Sequence, residues 1–331
     1  MILVTGATGL LGAHICHQLL KKGEKVRALK RSSSNLLEYQ LIGKFYQNSK
    51  EPEWFETDLL DVYGLDEALQ GITKIYHCAA IVSFWPKRKF ELIKNNAEGT
   101  ANLINAAIEA KVKRIVYASS VAAIGRPKYS NEINEDFAWL ESENNSGYAI
   151  SKYLAEMEVW RGVEEGLEAV IVNPSMIIGA GLWNKGALKL IKQIYNGFPF
   201  YSNGTNAYID AEDVAKIMIE LDQKSIINSR FILCSENLTY QDFFNKISKI
   251  ANRKAPYIKV QRWMAEIIWR LSAIKSWFDK KEPFISKETA RISKGNFNYN
   301  NKKIKEILPD FNFKSIDKSI EESIRLNTKS N

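Results

Sequence analysis

The sequence of 331 residues predicts an α/β fold, a doubly wound parallel sheet with a smaller, mostly helical C-terminal lobe. Three observations lead to this prediction. A glycine-rich loop lies between a short apolar run and a helical pattern, strands then alternate with helices up to about residue 172, and mostly helices follow. The chain is also longer than one usual domain, which favours a large domain with a smaller second lobe.

The apolar run 1–4 is the first predicted strand, and the glycine-rich loop follows it directly. Glycine at every third position lets the backbone turn sharply and approach a phosphate, and the next helix offers free N–H groups to a pyrophosphate. This order predicts a Rossmann-type dinucleotide site, and a glycine turn without a ligand is the alternative. The residues assigned to the site are Gly6, Thr8, Gly9, Leu10, Leu11 and Gly12.

The second predicted strand, 25–29, ends at a basic segment. In such folds a carboxylate about 20 residues beyond the glycines suits NAD, whereas an Arg there suits the extra phosphate of NADP. Here the segment contains Lys30, Arg31 and Ser32, with no acidic residue before Glu38. The sequence therefore favours NADP over NAD, and the alternative is that these cations only decorate a surface loop.

Strands and helices continue to alternate after a polar loop. The predicted strands cover 54–57, 74–78, 114–118 and 169–172, and the predicted helices cover 62–70, 91–110 and 147–166. Because parallel strands place their carboxyl ends at one edge of the sheet, the residues that follow them should lie together there. These residues are Asp58, Leu59, Ala79, Ala80, Ser119, Ser120, Asn173 and Pro174.

Beyond residue 172 the alternation becomes irregular. Helices are predicted at 187–196, 211–222, 240–251, 261–278 and 315–326, with a short strand at 230–234. We expect a dinucleotide-binding core over 1–172, completed by part of 205–235. The substrate-binding lobe should then consist of 173–204 and 236–331.

A tyrosine and a lysine lie four residues apart at Tyr148 and Lys152, and hence on one face of a helix. A nearby cation favours the phenolate, so a phenol of ordinary pKa about 10 becomes a usable acid or base nearer neutral pH. The same spacing also occurs at 46–50 and 299–303, so position decides. Only the pair at 148 and 152 begins a helix after the fifth strand and its two serines, where a substrate over the sheet edge would meet it.

These motifs resemble, in their order and over nearly the whole chain, the extended short-chain dehydrogenase/reductase family, or NAD-dependent epimerase/dehydratase superfamily. The resemblance implies that Tyr148 exchanges a proton with the substrate oxygen and that Ser120, five residues before Gly125, positions the carbonyl. It also implies that Lys152 holds the nicotinamide ribose and lowers the pKa of the phenol. The matching motifs are 5–12, Asp58 with Leu59, Ala79 with Ala80, 96–100, Ser119 with Ser120, Tyr148 with Lys152, and Asn173 with Pro174.

The same resemblance assigns further cofactor contacts. Asp58 and Leu59 would bracket the adenine. The small side chains of Ala79 and Ala80 leave room for a ring over the end of their strand. Asn96 would either support a water relay or pin its helix, and Pro174 would complete the cofactor site.

The segment 26–31 looks like the branch of plant dihydroflavonol reductases and 3β-hydroxysteroid dehydrogenases. Nucleotide-sugar epimerases and dehydratases, which keep NAD tightly bound, form the competing branch; they carry an Arg where this chain has Asn206. The loop after Ala80 is aromatic, which suits an apolar or aromatic substrate better than a diphosphate. The predicted pocket residues are Phe84, Trp85, Trp183 and Tyr208, although Phe84 and Trp85 could equally fill the core.

We therefore expect an NADP(H)-dependent oxidoreductase that interconverts a ketone or aldehyde and an alcohol. A nucleotide-sugar epimerase or dehydratase with bound NAD is the first alternative. A non-catalytic NADP-binding sensor is the second, and the presence of Ser120, Tyr148 and Lys152 argues against it.

Composition and sequence patterns also indicate where the protein is located in the cell and which partners it has. No apolar run reaches the roughly 18 residues of a membrane span, and no signal segment precedes the first strand. Three distant cysteines indicate buried thiols in a reducing compartment, and three histidines lack zinc-site spacing. We expect a cytoplasmic protein with a small-molecule substrate, no metal and no nucleic-acid partner.

The C-terminal quarter, 246–331, is basic, with 20 Lys and Arg against 9 Asp and Glu. Within it, 261–278 combines three Trp with apolar residues at helical spacing. This helix could cover the core or the pocket, form an interface such as that of a homodimer, or lie on a membrane. We expect it to cover the core or the pocket, and we do not expect membrane contact.

Overall fold

The computed structural model describes residues 1–48, 50–125, 132–142, 145–184, 186–279, 281–283 and 285–328. The strands are β1 Ile2–Thr5, β2 Val26–Lys30, β3 Glu53–Glu56, β4 Lys74–His77, β5 Arg114–Ala118, β6 Glu132–Ile133, β7 Glu168–Pro174, β8 Met176–Ile178, β9 Phe200–Tyr201, β10 Thr205–Asp210, β11 Ser229–Leu233, β12 Glu236–Thr239, β13 Ile258–Lys259 and β14 Asn298–Tyr299.

The α-helices are α1 Leu10–Lys21, α2 Leu37–Tyr46, α3 Val62–Ala68, α4 Lys89–Leu92, α5 Gly99–Glu109, α6 Gly147–Glu164, α7 Leu188–Tyr195, α8 Ala211–Gln223, α9 Tyr240–Ile250, α10 Arg262–Asp279, α11 Lys287–Ile292, α12 Lys302–Ile307 and α13 Ile316–Thr328. A π-helix, Ile93–Glu98, joins α4 to α5, so the long helix predicted at 91–110 has a local change of winding. Short 3₁₀ turns lie at Pro86–Arg88 and Val121–Ala123.

Seven parallel strands form the central sheet in the order β11-β7-β5-β4-β1-β2-β3. Helices α1, α2 and α8 pack on one face, where Ile15, Tyr39 and Met218 join the core. Helices α3, α5 and α6 pack on the other face, with Leu65 and Leu103 in a second core. The predicted doubly wound parallel sheet is confirmed.

Helix α2 lies where the sequence indicated only a polar loop. Its buried residues include Tyr39 and Ile42, and the Tyr39 ring stacks on His17 with the ring centroids 4.2 Å apart. Gly43 lowers helix propensity but leaves room for His17, whose Cε1 would lie 3.0 Å from a Cβ at that position. Tertiary packing of Tyr39 and Ile42 therefore stabilises this helix in spite of Gly43.

The second lobe begins where β7 ends. Strands β8 and β10 pair in parallel, and β12 joins β10 antiparallel in a three-stranded sheet. Helices α7, α9 and α13 enclose an apolar core around this sheet. Within the range 205–235, β11 completes the large sheet whereas β10 belongs to the small one.

A buried ionic cluster fastens the last helix to the central domain. The ammonium of Lys314 lies 3.2 Å from Asp210, 2.7 Å from Glu212 and 2.7 Å from Glu322. These carboxylates raise the pKa of Lys314 although its burial lowers it. The cluster joins the start of α8 to α13 and so fixes the second lobe on the sheet.

Helix α10 matches the predicted segment 261–278, but its apolar face is not covered. Among the described side chains of this helix only Ala265 and Ser276 are buried. The large apolar residues of the helix that are exposed are Trp263, Ile267, Leu271, Ile274, Trp277 and Phe278. The expectation that this face covers the core is therefore wrong. Within the described residues, no helix is both long and apolar enough to cross a bilayer.

Gly6 and Gly23 provide a matched test of the loop after β1. Both have positive φ, +70° and +85°, but an added Cβ at Gly6 would lie 2.6 Å from the Ala79 nitrogen, whereas one at Gly23 would meet no atom of the described residues within 4 Å. We expect Gly23→Ala to lower the free energy of unfolding by about 1 kcal/mol, for the left-handed backbone alone. Gly6→Ala should lower it by about 3 kcal/mol or more, because the collision is with backbone. Urea unfolding of both variants measures this difference, and equal losses would contradict the close approach.

Candidate active site

The predicted site residues follow strands that end at one edge of the central sheet. From β1 the sheet extends to β2 and β3 on one side and to β4, β5 and β7 on the other. The crevice beyond the ends of β1 and β4 is therefore a topological switch point, where open α/β sheets bind ligands. The glycine loop follows β1, Ala79 lies just after β4, and Ser120 lies just after the neighbouring strand β5.

Three glycines shape the loop between β1 and α1. Gly9 donates its N–H to the Gly6 carbonyl oxygen at 2.9 Å, and a Cβ at Gly12 would collide with the same carbonyl. Of the residues that the structure describes, a Cβ at Gly9 would meet only that oxygen within 4 Å, so these residues leave the outer side of the loop open. The close turn and the open outer side fit a pyrophosphate at the start of α1.

The other residues of the loop contribute backbone and exposed side chains. Thr8 and Leu10 are half-buried, whereas the side chain of Leu11 is buried in the core. The first turn of α1 contains no acidic residue. Its N–H groups and positive dipole end therefore remain suited to an anion.

A chain of hydrogen bonds joins this loop to the end of β4. Thr100 donates its hydroxyl to the Asn96 carbonyl at 2.6 Å, so it accepts from His77 Nε2 at 2.9 Å. His77 Nδ1 then accepts from the Thr5 hydroxyl at 2.6 Å, which accepts the Ala79 N–H at 3.2 Å. Burial and the charge of a nearby lysine lower the pKa of His77 to about 3, so the ring is neutral and its tautomer is fixed.

Asn96, on the π-helical turn, uses its whole amide to pin neighbouring segments. Its Oδ1 accepts the Ile81 N–H at 2.7 Å, and its Nδ2 donates to the Ile81 carbonyl at 2.9 Å and to Ser151 Oγ at 3.0 Å. Ser151 belongs to α6 and donates to the Tyr148 carbonyl at 2.8 Å. The sequence left two roles open for Asn96, support of a water relay and fixing of its helix, and these contacts fix the helix.

Tyr148 lies in the first turn of α6, which Ser146 caps by accepting the Ala149 N–H at 3.0 Å. Burial raises the pKa of Tyr148, and a hydrogen bond with the Ser120 side chain lowers it. Ser120 itself caps the 3₁₀ turn after β5, because its Oγ accepts the Ala122 N–H at 3.1 Å. The two hydroxyls that were predicted to act together are thus brought together.

Lys152 lies on the same face of α6, one turn further along. Its buried ammonium donates to Tyr117 Oη at 2.7 Å and to the Ala118 carbonyl at 2.9 Å. Burial lowers the pKa of Lys152 to about 8, against the charge of Glu156. We expected Lys152 to lower the pKa of Tyr148, but the pKa of this phenol is raised. The ammonium is directed at β5, and burial of the phenol has the larger effect.

Ser119, the neighbour of Ser120, is engaged elsewhere. Its hydroxyl donates to Glu156 at 2.6 Å, and the same carboxylate oxygen accepts from Asn173 Nδ2 at 2.8 Å. Arg230 on β11 lies 3.1 Å from the other oxygen of Glu156. This arrangement leaves Ser120 as the serine that faces Tyr148.

The basic segment after β2 divides into two parts. Lys30 forms an ion pair with Glu56 at 2.8 Å, at the end of the neighbouring strand. Arg31 and Ser32 are exposed, and the Arg31 N–H donates to Ser34 Oγ at 3.2 Å. Arg31 therefore presents a guanidinium at the predicted adenosine end, while Lys30 neutralises a carboxylate there.

The remaining predicted cofactor residues surround the crevice. Asp58 Oδ1 accepts the Leu60 N–H at 2.9 Å, and the Leu59 carbonyl accepts from Asn102 at 3.0 Å. Ala79 is half-buried and Ala80 exposed beyond β4. Pro174 is buried and pairs with β11 at the end of β7.

On the substrate side, the Phe84 ring meets the Tyr148 ring edge-on, with centroids 5.6 Å apart. Trp85 is half-buried beside Lys87, whose ammonium lies 5.6 Å from the Trp85 ring centroid. The loop is fastened to the segment after α10, because Ser83 donates to Glu282 at 2.6 Å. Phe84 thus forms a wall beside the phenol.

Trp183 and Tyr208 lie elsewhere. Trp183 donates its indole N–H to Ser323 on α13 at 3.0 Å, and Tyr208 is 0% exposed and stacks on Phe243 with centroids 4.1 Å apart. Both rings belong to the apolar core of the second lobe. The prediction that Trp183 and Tyr208 line the substrate pocket is therefore wrong, because both rings pack in this core.

Several residues that build the site were not found from the sequence. Tyr117, which holds Lys152, lies within an apolar strand, and only its position before the carboxyl end of that strand could have indicated a role. Glu156 lies one turn after Lys152 on the same helix face, a spacing that could have been read. Ser83 and Glu282 are 199 residues apart, and no local pattern links them.

The buried Lys152 makes stability depend on pH in a defined direction. Its pKa is lowered from 10.5 to about 8 on folding, so between these values the unfolded state binds more protons and the free energy of unfolding rises with pH. Across this window wild type should gain about 3 kcal/mol relative to Lys152→Met, which lacks the titration. Urea unfolding over a pH series measures this, with the exposed Lys189→Met as control. A constant difference between wild type and Lys152→Met would contradict the buried charge.

Known proteins resemble this chain both in sequence and in fold. Residues 2–229 match the model of the NAD dependent epimerase/dehydratase family. The chain is 33% identical over 270 residues to "Putative dihydroflavonol 4-reductase" from Synechocystis sp., covering 79% of this chain and 75% of that one. It is 29% identical over 252 residues to cinnamoyl-CoA reductase 1 from Petunia hybrida, covering 73% and 74% of the two chains.

Among solved structures, the chain is similar to the crystal structure of gox2253. The TM-score is 0.81 at 29% identity, and the match covers 100% of this chain and 98% of the other. The resemblance stated from the motifs is thereby confirmed, including its dihydroflavonol reductase-like branch. The chain belongs to the NAD-dependent epimerase/dehydratase family, the extended short-chain dehydrogenases/reductases, and is an NAD(P)-dependent oxidoreductase.

Proposed function

We propose that this oxidoreductase uses NADP(H) to interconvert a ketone or aldehyde and an alcohol on an apolar or aromatic small molecule. The observation that carries the proposal is the arrangement around Tyr148. Its phenol is hydrogen-bonded to Ser120 and lies edge-on to Phe84, with Lys152 one turn further along the helix.

Each side chain has a defined task in this proposal. Bound NADPH supplies the hydride to the carbonyl carbon. Tyr148 gives its phenolic proton to the substrate oxygen in reduction and accepts it in oxidation. Ser120 donates a hydrogen bond that orients this oxygen. The Lys152 ammonium has three N–H groups, of which Tyr117 and Ala118 accept two, and the third would bind the nicotinamide ribose. Phe84 excludes water and contacts the apolar part of the substrate.

The preference for NADP rests on charge at the end of β2. The exposed guanidinium of Arg31 suits a 2′-phosphate, to which it can donate two hydrogen bonds. The nearby carboxylate of Glu56 would repel that phosphate, but Lys30 pairs with it at 2.8 Å. The segment thus presents net positive charge where an NAD-specific site would present an acid.

The substrate class rests on the pocket wall and on the relatives. Both named relatives are reductases, of a dihydroflavonol and of a cinnamoyl-CoA, and both names denote aromatic compounds. In the alternative, an epimerase or dehydratase, an Arg would grip the diphosphate. Here Asn206 occupies that place and donates to Tyr240 Oη at 3.3 Å. Purification of the protein with firmly held NAD, and no exchange for NADP, would favour the alternative.

Tyr148→Phe tests the proton transfer. Because only the hydroxyl is removed, we expect NADPH affinity to stay within about twofold and kcat to fall by about a hundredfold or more. Tyr153→Phe is the matched control on the same helix, since Tyr153 stacks on Trp139 with centroids 4.4 Å apart. Steady-state kinetics with a panel of aromatic aldehydes and ketones, together with fluorescence titration of NADPH, measure both quantities. Near-wild-type turnover of Tyr148→Phe would overturn the assignment.

Arg31→Ala tests the cofactor preference. Loss of a charge-assisted contact to a phosphate should weaken NADP binding by about tenfold or more and leave NAD binding nearly unchanged. Lys25→Ala, an exposed cation beyond the opposite end of the same strand, is the control and should alter neither. Calorimetric titration of both nucleotides gives the ratio. Equal losses for NADP and NAD would remove the role of Arg31 in the 2′-phosphate site.

A further inference from the structure

Helix α10 carries an exposed apolar stripe that the proposed chemistry does not use. Positions three, four and seven apart on a helix share one face, so the exposed residues form a single stripe along its length. Trp277 and Phe278 are 68% and 74% exposed, and Trp263 is 65% exposed. The full stripe consists of Trp263, Ile267, Leu271, Ile274, Trp277 and Phe278.

The opposite face of α10 is the one held by the protein. Ala265 and Ser276 are buried there, and Ser276 donates its hydroxyl to the Lys281 carbonyl at 2.5 Å. Trp269 lies on this side with the Lys287 ammonium 6.0 Å from its ring centroid. The helix therefore packs through this side and turns six large apolar side chains outward.

Positive charge predominates in the sequence on both sides of this stripe. Residues 253–294 contain 11 Lys and Arg but 4 Asp and Glu. All four acids already have a partner: Glu266 pairs with Arg270 at 3.2 Å, Glu282 accepts from Ser83 at 2.6 Å, and Glu288 accepts a hydrogen bond from the Gly147 backbone. Asp279 accepts the Lys281 N–H at 3.0 Å. The exposed cations near the helix in sequence are Arg253, Lys254, Lys259, Arg270, Lys275, Lys281 and Lys287.

An apolar stripe rich in Trp and flanked by cations matches the surface of an anionic bilayer. Arg270 lies within the stripe, close to the middle of the helix. In an antiparallel pairing of two copies about the helix centre, two Arg270 side chains would meet. On a bilayer, by contrast, Arg270 can lay its stem along the apolar layer and reach lipid phosphates.

We propose that α10 attaches this protein to the surface of an anionic lipid bilayer. The helix lies in the plane of the interface with its exposed stripe among the acyl chains and the surrounding cations at the headgroups. The sequence alone did not favour membrane contact, because burial in the core would have explained the same pattern. Exposure of the stripe removes that explanation.

Vesicle sedimentation with the full chain tests the proposal. We expect the protein to sediment with phosphatidylcholine vesicles that contain phosphatidylglycerol, to do so less as salt rises, and to bind pure phosphatidylcholine far more weakly. Absence of sedimentation with the anionic vesicles, or equal binding to both kinds, would overturn the proposal.

A pair of double variants locates the contact. Trp277→Ser with Phe278→Ser should weaken binding to the anionic vesicles by at least about tenfold. Val62→Ser with Tyr63→Ser is the matched control, since these adjacent residues on α3 are 49% and 85% exposed, and it should bind as wild type does. Equal binding by the two double variants would overturn the assignment to α10.

Two further measurements test whether the stripe binds a second copy of the chain and whether it affects the proposed reductase activity. Light scattering without lipid that finds a dimer, lost in the α10 double variant alone, would assign the stripe to a second copy of the chain and overturn the membrane proposal. Carbonyl reduction in lipid-free buffer should be the same for wild type and both double variants. A failure of the membrane proposal would therefore leave the proposed reductase chemistry unaffected.

Discussion

The positive charge of the buried Lys152 is the constraint on which the site depends. An ammonium is costly to bury unless hydrogen bonds and an opposite charge compensate. Tyr117 and the Ala118 carbonyl supply the hydrogen bonds, and Glu156 supplies the charge. Strand β5 and helix α6 must therefore keep their relative position, which also brings Tyr148 to Ser120.

The carboxylate that compensates the Lys152 charge is in turn held by residues on or next to three strands of the sheet. Glu156 is itself buried, and it is held by Ser119 after β5, Asn173 on β7 and Arg230 on β11. On the other side of the crevice, the neutral ring of His77 joins the glycine loop to the helix that carries Asn96. The glycine loop and the residues around Tyr148 thus share one hydrogen-bonded framework, and neither half is positioned independently.

Much of the fold was predictable because its signals are local. Apolar periodicity, the glycine spacing and the pair Tyr148 and Lys152 all lie within short windows, and they predicted the sheet and the residues that gather at its edge. Periodicity states which face of a segment is apolar but not what covers it. For that reason Trp183 and Tyr208 were misplaced in the pocket, and the stripe on α10 was expected to be covered. The contact of Ser83 with Glu282 depends on the tertiary fold alone.

The buried lysine has a consequence for how such a protein changes under selection. Its native contacts compensate its desolvation only in part, since its pKa remains below the ordinary value. Selection for folding stability alone would favour a neutral residue at position 152, whereas under the proposed function selection for activity would keep the cation. Loss of Lys152 in a descendant of this chain would then record the end of selection for the proposed catalysis.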